Sequence, residues 1–280
     1  MSQSLRLRGG IVSILILLVF LGAWWGATLP TQVDLGDMDP EYAAMMGLDT
    51  VKESDIPTPG DIGSAIWTHL SDPFYVAGSN DMGIGIQLAH SLWRVLAGFA
   101  LAALVAVPLG FLIGMSPLMH KALDPYIQIL KPISPLAWMP LALYIIQDAS
   151  ISSIFVIFIC SIWPMMVNTA YGVASVRDDW LAVAKTLEVG PIKKAFKVIL
   201  PAAAPTILTG MRISMGIAWL VIVAAEMLVG GTGIGYFIWN EWNNLDLANV
   251  IFAILLIGVV GMILDMIFGL LGKAVSYKEV

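Results

Sequence analysis

SLWRVLAGFALAALVAVPLGFLIG, residues 91–114, is a run of 24 residues with one charge, Arg94. The hydrocarbon core of a bilayer is about 30 Å thick, and an α-helix crosses it with about 20 apolar residues. A surface helix of a soluble protein would carry a polar face, which this run lacks. The run therefore predicts a helix that crosses a membrane.

Five further apolar runs have a similar length, and together with the first, extended to 88–115, they predict six spans. The others lie at 10–29, 123–147, 151–172, 204–228 and 247–272. Hydrophobic residues make up 59% of the chain and charged ones 12%, whereas a soluble domain has about 25% charged residues. The sequence predicts an all-α membrane protein with six transmembrane helices.

The first run has a second interpretation, because Arg6 and Arg8 precede it as they would in a signal peptide. The apolar stretch from Ile11 to Leu29 is long for a signal core, and no small-x-small cleavage site follows it. We therefore expect a retained first helix.

The distribution of basic residues predicts the orientation, since Lys and Arg are enriched in cytoplasmic loops. With the N-terminus inside, ten basic residues fall in cytoplasmic segments and only Lys52 falls outside. The ten are Arg6, Arg8, Lys121, Arg177, Lys185, Lys193, Lys194, Lys197, Lys273 and Lys278. We expect a multi-pass protein of the bacterial inner membrane with both termini in the cytoplasm.

This topology divides the chain into segments. They are a cytoplasmic N-terminus at 1–9, a first helix at 10–29, an acidic periplasmic segment at 30–87, a five-helix core at 88–272 and a cytoplasmic tail at 273–280. The periplasmic segment holds ten carboxylates against one lysine, and its residues 59–70 predict a short helix with Trp67 on the apolar face. That helix could lie on the membrane or receive a soluble partner.

A cytoplasmic stretch between the fourth and fifth spans is amphipathic. Either Asp178 or Asp179 can cap a helix here, Leu181, Ala184 and Leu187 recur at helical spacing, and Gly190–Pro191 ends it. Its apolar side needs a partner, which is either another protein or the lipid headgroup region, where Lys193, Lys194 and Lys197 are favourable.

This stretch resembles the cytoplasmic signature of bacterial ABC-importer permeases, EAA-x3-G-x9-I-x-LP. Leu200–Pro201, Val198 and Ala184 match it, Ala182 and Val183 replace the Glu and first Ala, and Glu188 replaces the Gly. Three longer stretches resemble the nitrate, bicarbonate, sulfonate and taurine branch of that family, and a fourth is most similar to its nitrate and bicarbonate members. The three are 91–114, 130–143 and 206–238, and the fourth is FIWNEWNNL at 237–245.

The resemblance implies a homodimeric channel with a coupling helix at 179–191. Two cytoplasmic ATPase subunits, which hold ATP and Mg, would meet Ala184, Leu187, Glu188, Val189 and Gly190. A periplasmic or lipid-anchored binding protein would deliver substrate. Because Glu favours a helix interior by roughly 0.5–1 kcal/mol over Gly, we expect Glu188 to remain helical. The implied substrate is a small anion, first nitrate, then bicarbonate, cyanate or an alkanesulfonate.

Charged residues inside membrane spans are costly and are functional candidates. Arg212 with the hydroxyls of Thr206 and Thr209 would suit an oxyanion pathway, or Arg212 pairs with a carboxylate to fix helix packing. Arg94 and Glu226 lie at similar depth and predict an ion pair, with a gate as the second interpretation.

Two further charges lie within the predicted spans. Lys131 lies beside Pro132, Pro135 and Pro140, where it could line the path, bind freed carbonyls or reach the cytoplasm. Asp265 predicts a helix-end or pairing role.

Several classes of protein are disfavoured. No nucleotide-binding motif occurs, so we expect no ATP hydrolysis and no cofactor in this chain. His69, His90 and His120 are far apart and predict no metal site, and the net charge of −6 disfavours nucleic acid. A gradient-driven secondary transporter is the rival class, although such folds usually show internal repeats. A membrane enzyme would need a cluster of catalytic groups at one depth, which the sequence lacks.

Overall fold

The computed structural model describes residues 3–32, 51–52, 54–78 and 81–275, and almost all of them are helical. Much of the predicted acidic segment 30–87, the first two residues and the last five of the tail at 273–280 lie outside the described residues. In chain order the elements are α1 Gln3–Ala27, β1 Thr31–Gln32, β2 Val51–Lys52, α2 Pro59–Ser71, α3 Ile84–Met115, α4 Pro117–Leu130, α5 Pro135–Ile146, α6 Ala149–Ala174, α7 Asp178–Thr186, α8 Pro191–Lys194, a π-helical turn Ala195–Ile199, α9 Leu200–Val229, α10 Ile234–Asn243 and α11 Leu247–Val275.

Within the described ranges, five helical segments are long and apolar enough to cross a membrane. They are Leu7–Ala27, Ile84–Met115, Ala149–Ala174, Pro191–Val229 and Leu247–Val275. A sixth span results if the bent pair α4 and α5 crosses as one unit. The structure therefore confirms an all-α fold with five to six spans.

The third predicted span, 123–147, is not one helix. Helix α4 ends at Leu130, α5 begins at Pro135, and the two axes differ in direction by 90°. Pro132 and Pro135 lack backbone N–H groups and cannot continue the hydrogen-bond ladder, which explains the break. The break places Lys131 at the end of α4 instead of inside a continuous helix.

One compact unit comprises the described part of Met1–Asp72 together with Glu241–Phe252. The helix predicted at 59–70 is present as α2, where Thr58 and Asp61 form a reciprocal capping box. Hydrogen bonds from the Thr58 side chain and backbone lower the pKa of the Asp61 carboxyl below its ordinary value. His69 lies 3.0 Å from Asn249 Oδ1 through its Nε2 and stacks on Phe252.

The second unit comprises Pro73–Asn240 and the described part of Ala253–Val280, and α3, α6 and α9 pack together within it. The small residues of α3 at four-residue spacing, Gly98, Ala102, Ala106 and Gly110, are all buried. A Cβ at Gly98 would lie 2.7 Å from the Ile157 side chain, and one at Gly110 would lie 2.6 Å from Met166 O. The stripe therefore serves close packing of α3 on α6, as in other membrane helix pairs.

One end of this unit has an apolar core that joins α6 to the start of α9. Val173, Ile199, Ala203 and Ile207 are buried there, and Leu181 of α7 packs against them. Helix α9 continues from α8 through the π-helical turn, so the helical segment starts at Pro191 and not at residue 204 as predicted. Pro201 lies two residues after the π-helical turn, and because it has no N–H the continuous segment lacks one backbone hydrogen bond there.

Candidate functional site: a cationic cavity, a buried ion pair and a helix break

Arg212 and Asp265 form a two-point ion pair between α9 and α11. Arg212 Nε donates to Asp265 Oδ1 at 2.6 Å, and Nη2 donates to Oδ2 at 2.5 Å. Both side chains are about half exposed, 48% for Arg212 and 54% for Asp265. The carboxylate partner that the sequence allowed for Arg212 is therefore Asp265, and Nη1 has no partner in the part of the chain that the structure describes.

A cavity of about 560 Å³ opens beside this pair, between α9 and α11. Its polar lining comes from Thr209, Arg212, Asp265 and Lys273. Two cationic groups against one carboxylate leave the lining with a formal charge of +1. Thr209 Oγ1 donates to Pro205 O at 3.0 Å, which leaves the hydroxyl oxygen as an acceptor. The cavity is therefore suited to an anion through its two cations.

Thr206 does not line this cavity, although the sequence grouped its hydroxyl with Arg212 and Thr209. A Cβ at Gly172 of α6 would lie 2.8 Å from Thr206 Cβ, so Thr206 faces α6. Six residues at 100° each place Thr206 about 120° around the helix from Arg212, which explains the difference. Thr209, three residues from Arg212, is the hydroxyl that shares the cavity.

Arg94 and Glu226 form the ion pair that the sequence predicted, and it is buried. Arg94 Nη1 lies 2.7 Å from Glu226 Oε1, with side-chain exposures of 9% and 1%. Ser91 Oγ donates to Glu226 Oε2 at 2.8 Å, and Arg94 Nε donates to Ser150 Oγ at 2.8 Å. Each charge is thus paired and hydrogen-bonded, the condition under which buried charges are tolerated.

The same carboxylate holds the glycine-rich turn at 230–235. Gly235 N donates to Glu226 Oε2 at 3.0 Å, and Ile234 N donates to Ser91 Oγ at 2.9 Å. A Cβ at Gly233 would overlap the Glu226 carboxylate, and one at Gly235 would overlap Val223 O. This turn depends on glycine because Glu226 and α9 approach its backbone so closely.

The helix break beside Lys131 lines a separate cavity of about 280 Å³. Ser134, Trp138, Trp163 and Cys160 contribute to its wall. Among the described residues, Lys131 has no ion-pair partner, and its side chain is exposed. Lys131 therefore shares no cavity with Arg212. Apart from Thr206, the candidate path residues fall into three groups, which are Arg212 with Thr209, Arg94 with Glu226, and Lys131 alone.

The predicted helix at 179–191 ends earlier, at Thr186. Glu188 N donates to Lys185 O and Val189 N donates to Ala184 O, both at 3.0 Å, and Glu188 has φ of +49°. These two bonds with a left-handed residue form a Schellman motif, in which Gly is preferred. The expectation that Glu188 is helical was wrong, because its position lies just past the helix end.

The exposed face of α7 differs from the predicted one. Ala184 is buried at 3% exposure and Leu181 packs on the core, whereas Val183 and Leu187 are 58% and 70% exposed. Neither predicted aspartate caps the helix, since Arg177 is the N-cap residue and Asp178 and Asp179 occupy the first turn. The outward apolar surface at this helix is therefore formed by Trp180, Val183 and Leu187.

Sequence reasoning missed the partners that lie far away along the chain. Asp265 is 53 residues from Arg212, Ser91 is a small polar residue within a predicted span, and Ser150 lies just before another one. For the pair of Arg212 and Asp265, the sequence offered one indication, which was a guanidinium and a carboxylate on two different predicted spans. In the described ranges, no group of three or more His, Cys, Asp or Glu side chains could hold a metal ion.

Comparisons with known proteins agree with this architecture. Residues 106–277 match the family described as the inner membrane component of binding-protein-dependent transport systems. The chain therefore belongs to that family, the membrane permease subunits of ABC importers, in which ATP hydrolysis lies in partner subunits.

Curated relatives place the chain in the nitrate and bicarbonate branch of the family. It is 44% identical over 226 residues to the nitrate import permease protein NrtB of Synechocystis sp., covering 81% of this chain and 82% of that protein. It is 43% identical over 220 residues to the bicarbonate transport system permease protein CmpB of Synechocystis sp., covering 76% and 79%. The family and these relatives show a bacterial inner membrane protein.

A solved structure has the same fold. A chain of the inward-facing MetNI methionine ABC transporter matches with a TM-score of 0.61 and 13% sequence identity, covering 68% of this chain and 94% of that one. At this identity the match supports the fold alone.

Proposed function

We propose that this permease carries a small oxyanion, nitrate first, across the inner membrane. The single observation that carries the proposal is the cavity beside Arg212, whose lining bears a net positive charge. The similarity to a nitrate import permease supports the choice of nitrate. Bicarbonate is the second candidate because the similarity to a bicarbonate permease is nearly as high, and cyanate and alkanesulfonates follow.

Arg212 can bind an anion without losing Asp265. The pair uses Nε and Nη2, so Nη1 and the second proton of Nη2 remain on the other edge of the planar group. A trigonal oxyanion can accept two hydrogen bonds from that edge, in the manner of guanidinium–carboxylate pairs. Asp265 would orient Arg212, and Lys273 would attract the anion to the same cavity.

Lys131, Arg94 and Glu226 complete the proposed path. Lys131 would offer a further cation at the helix break. The buried pair of Arg94 and Glu226 would act as a fixed closure beside the turn at 230–235, since both carboxylate oxygens and the Nε and Nη1 of Arg94 already have partners.

The proposed complex contains two copies of this chain, two ATPase subunits with ATP and Mg, and a periplasmic or lipid-anchored binding protein. With both termini in the cytoplasm, α7 and the turn at Leu187–Gly190 would meet the ATPase. Val183 and Leu187 form an exposed apolar patch of the kind that a protein partner covers.

A strain lacking this permease tests the substrate. Uptake of labelled nitrate and of labelled bicarbonate would be measured with and without the restored gene, with cyanate and an alkanesulfonate as competitors. We expect nitrate uptake to depend on the gene, and bicarbonate uptake alone would select the second candidate. Co-purification of an ATPase chain would separate this proposal from a gradient-driven secondary transporter.

A further inference from the structure

A groove of about 520 Å³ lies between the end of α3 and the segment Pro191–Leu200. Every side chain in its wall is apolar, and Leu112, Ile192 and Phe196 are 59%, 76% and 66% exposed. None of the candidate path residues lines it. The groove is therefore an exposed apolar surface distinct from the cavity beside Arg212.

The segment that forms one wall also carries three lysines, Lys193, Lys194 and Lys197. No ion pair involves any of them in the ranges that the structure describes. The flanking carboxylates in the sequence are Glu188 and Glu226, so residues 189–225 contain no acidic side chain. This segment is therefore a local concentration of positive charge beside an apolar groove.

The position of the groove along the helices indicates which occupant it suits. Residues 107–115 of α3, which form the other wall, belong to the apolar run that crosses the membrane. Helix α3 ends at Met115, and the opposite wall begins at Pro191. Both walls thus belong to helical segments that are apolar enough to cross a membrane, Ile84–Met115 and Pro191–Val229, which favours a lipid chain over a soluble subunit as the occupant.

We propose that this groove binds an acyl chain of an anionic phospholipid whose phosphate lies against Lys193 and Lys197, which directly follow the wall residues Ile192 and Phe196. The apolar walls match the hydrocarbon chain, and the lysines supply the charge that basic pockets of membrane proteins use for anionic headgroups. The proposal does not depend on which anion the permease carries. It assigns a structural lipid to the segment that joins α7 to α9.

Lipid selectivity tests the role of the charge. The full-length chain in its purified complex would be placed in nanodiscs of equimolar phosphatidylglycerol and phosphatidylcholine with identical acyl chains, and retained lipids would be counted by native mass spectrometry. We expect a preference for phosphatidylglycerol that falls roughly 25-fold in the double variant Lys193→Gln/Lys197→Gln, at about fivefold per lysine.

The double variant Lys121→Gln/Lys185→Gln is the matched control, since it removes two cytoplasmic charges away from the groove and should keep the preference. Equal retention of both lipids by the unmodified chain, or an equal loss in the two double variants, would overturn the proposal.

Covalent capture identifies the occupant directly. A photoreactive benzoylphenylalanine in place of Phe196, which is similar in shape, would be activated in native membranes. We expect an adduct with the mass of a phospholipid. An adduct with a second permease chain or an ATPase chain, or the absence of a lipid adduct, would show that the groove serves another purpose.

Discussion

Arg212 on α9 and Asp265 on α11 share two hydrogen bonds, and the pair is half exposed to a cavity inside the membrane-spanning part of the chain. Lipid cannot solvate such a pair, so a charge pair at this depth faces water or other protein. Asp265 fixes the orientation of the guanidinium and leaves one of its edges open. The relationship makes Arg212 both a packing partner and a candidate anion ligand, and the two roles can be separated.

The first prediction separates these roles. Arg212→Met should abolish uptake, and Arg212→Lys should retain part of it because a mobile point charge remains. Arg212→Met leaves the Asp265 carboxylate unpaired and should lower assembly and heat stability. The double variant Arg212→Met/Asp265→Asn carries no unpaired charge, so assembly and heat stability should recover while uptake stays absent. Uptake, complex yield and thermal unfolding would be measured on the same preparations. Recovery of transport in the double variant would assign Arg212 a packing role only.

A second prediction concerns the buried pair. Glu226→Ala leaves Arg94 buried without its counter-ion and should destabilise the protein by about 3–5 kcal/mol. Glu226→Gln keeps some hydrogen bonds and should cost less. Thermal unfolding of the full-length chain followed by tryptophan fluorescence is the measurement, with Ser71→Ala on the exposed end of α2 as the control. Unchanged stability of Glu226→Ala would contradict the structural role of the pair.

The end of α7 at Glu188 gives a third prediction, in which a change to glycine increases the stability of the helix end. Because Glu188 has a left-handed backbone, Glu188→Gly should stabilise this helix end by about 1 kcal/mol. Ala182→Gly, at an exposed position inside α7, should destabilise the helix by about 1 kcal/mol. Hydrogen exchange of the backbone amides at 184–189 would report both effects. Faster exchange in Glu188→Gly would show that the helix continues through this residue.

Coupling to the ATPase is tested at Leu187. The side chain is 70% exposed, so Leu187→Asp should leave the folded chain intact. If an ATPase covers it, the buried unpaired carboxylate should weaken ATPase association and abolish transport. Ile56→Asp, at an exposed apolar position in the predicted periplasmic segment, should affect neither property. Normal co-purification and transport with Leu187→Asp would argue that α7 lies on lipid.

The orientation yields a fifth prediction. Single cysteines at Ser64 on α2 and at Ser175 after α6, both exposed, should react with an impermeant thiol reagent from opposite faces of the membrane, Ser64 from the periplasm. The variants would be made with Cys160→Ala, since Cys160 is the single native thiol. Labelling of both positions from one face would contradict the six-span topology.

The pattern of apolar runs was sufficient to predict the membrane fold, and two charges at similar depth were sufficient to pair Arg94 with Glu226. The break after Lys131 was harder to predict, because a helix can tolerate proline when neighbours satisfy its carbonyls. Thr206 was assigned to the wrong face because residues six apart on a helix diverge by about 120°. Glu188 was misplaced because the helix ends at Thr186 instead of reaching 191, and a residue just past a helix end favours Gly where the helix interior favours Glu.

The central claim is that this chain carries nitrate at the expense of ATP in partner subunits. Proteoliposomes containing the purified permease, its ATPase chains and its binding protein would be supplied with labelled nitrate on the binding-protein side. We predict accumulation that requires ATP, the binding protein and Arg212, and that is unaffected when the proton and sodium gradients are collapsed. Nitrate uptake that continues without ATP and stops when those gradients are removed would contradict the account.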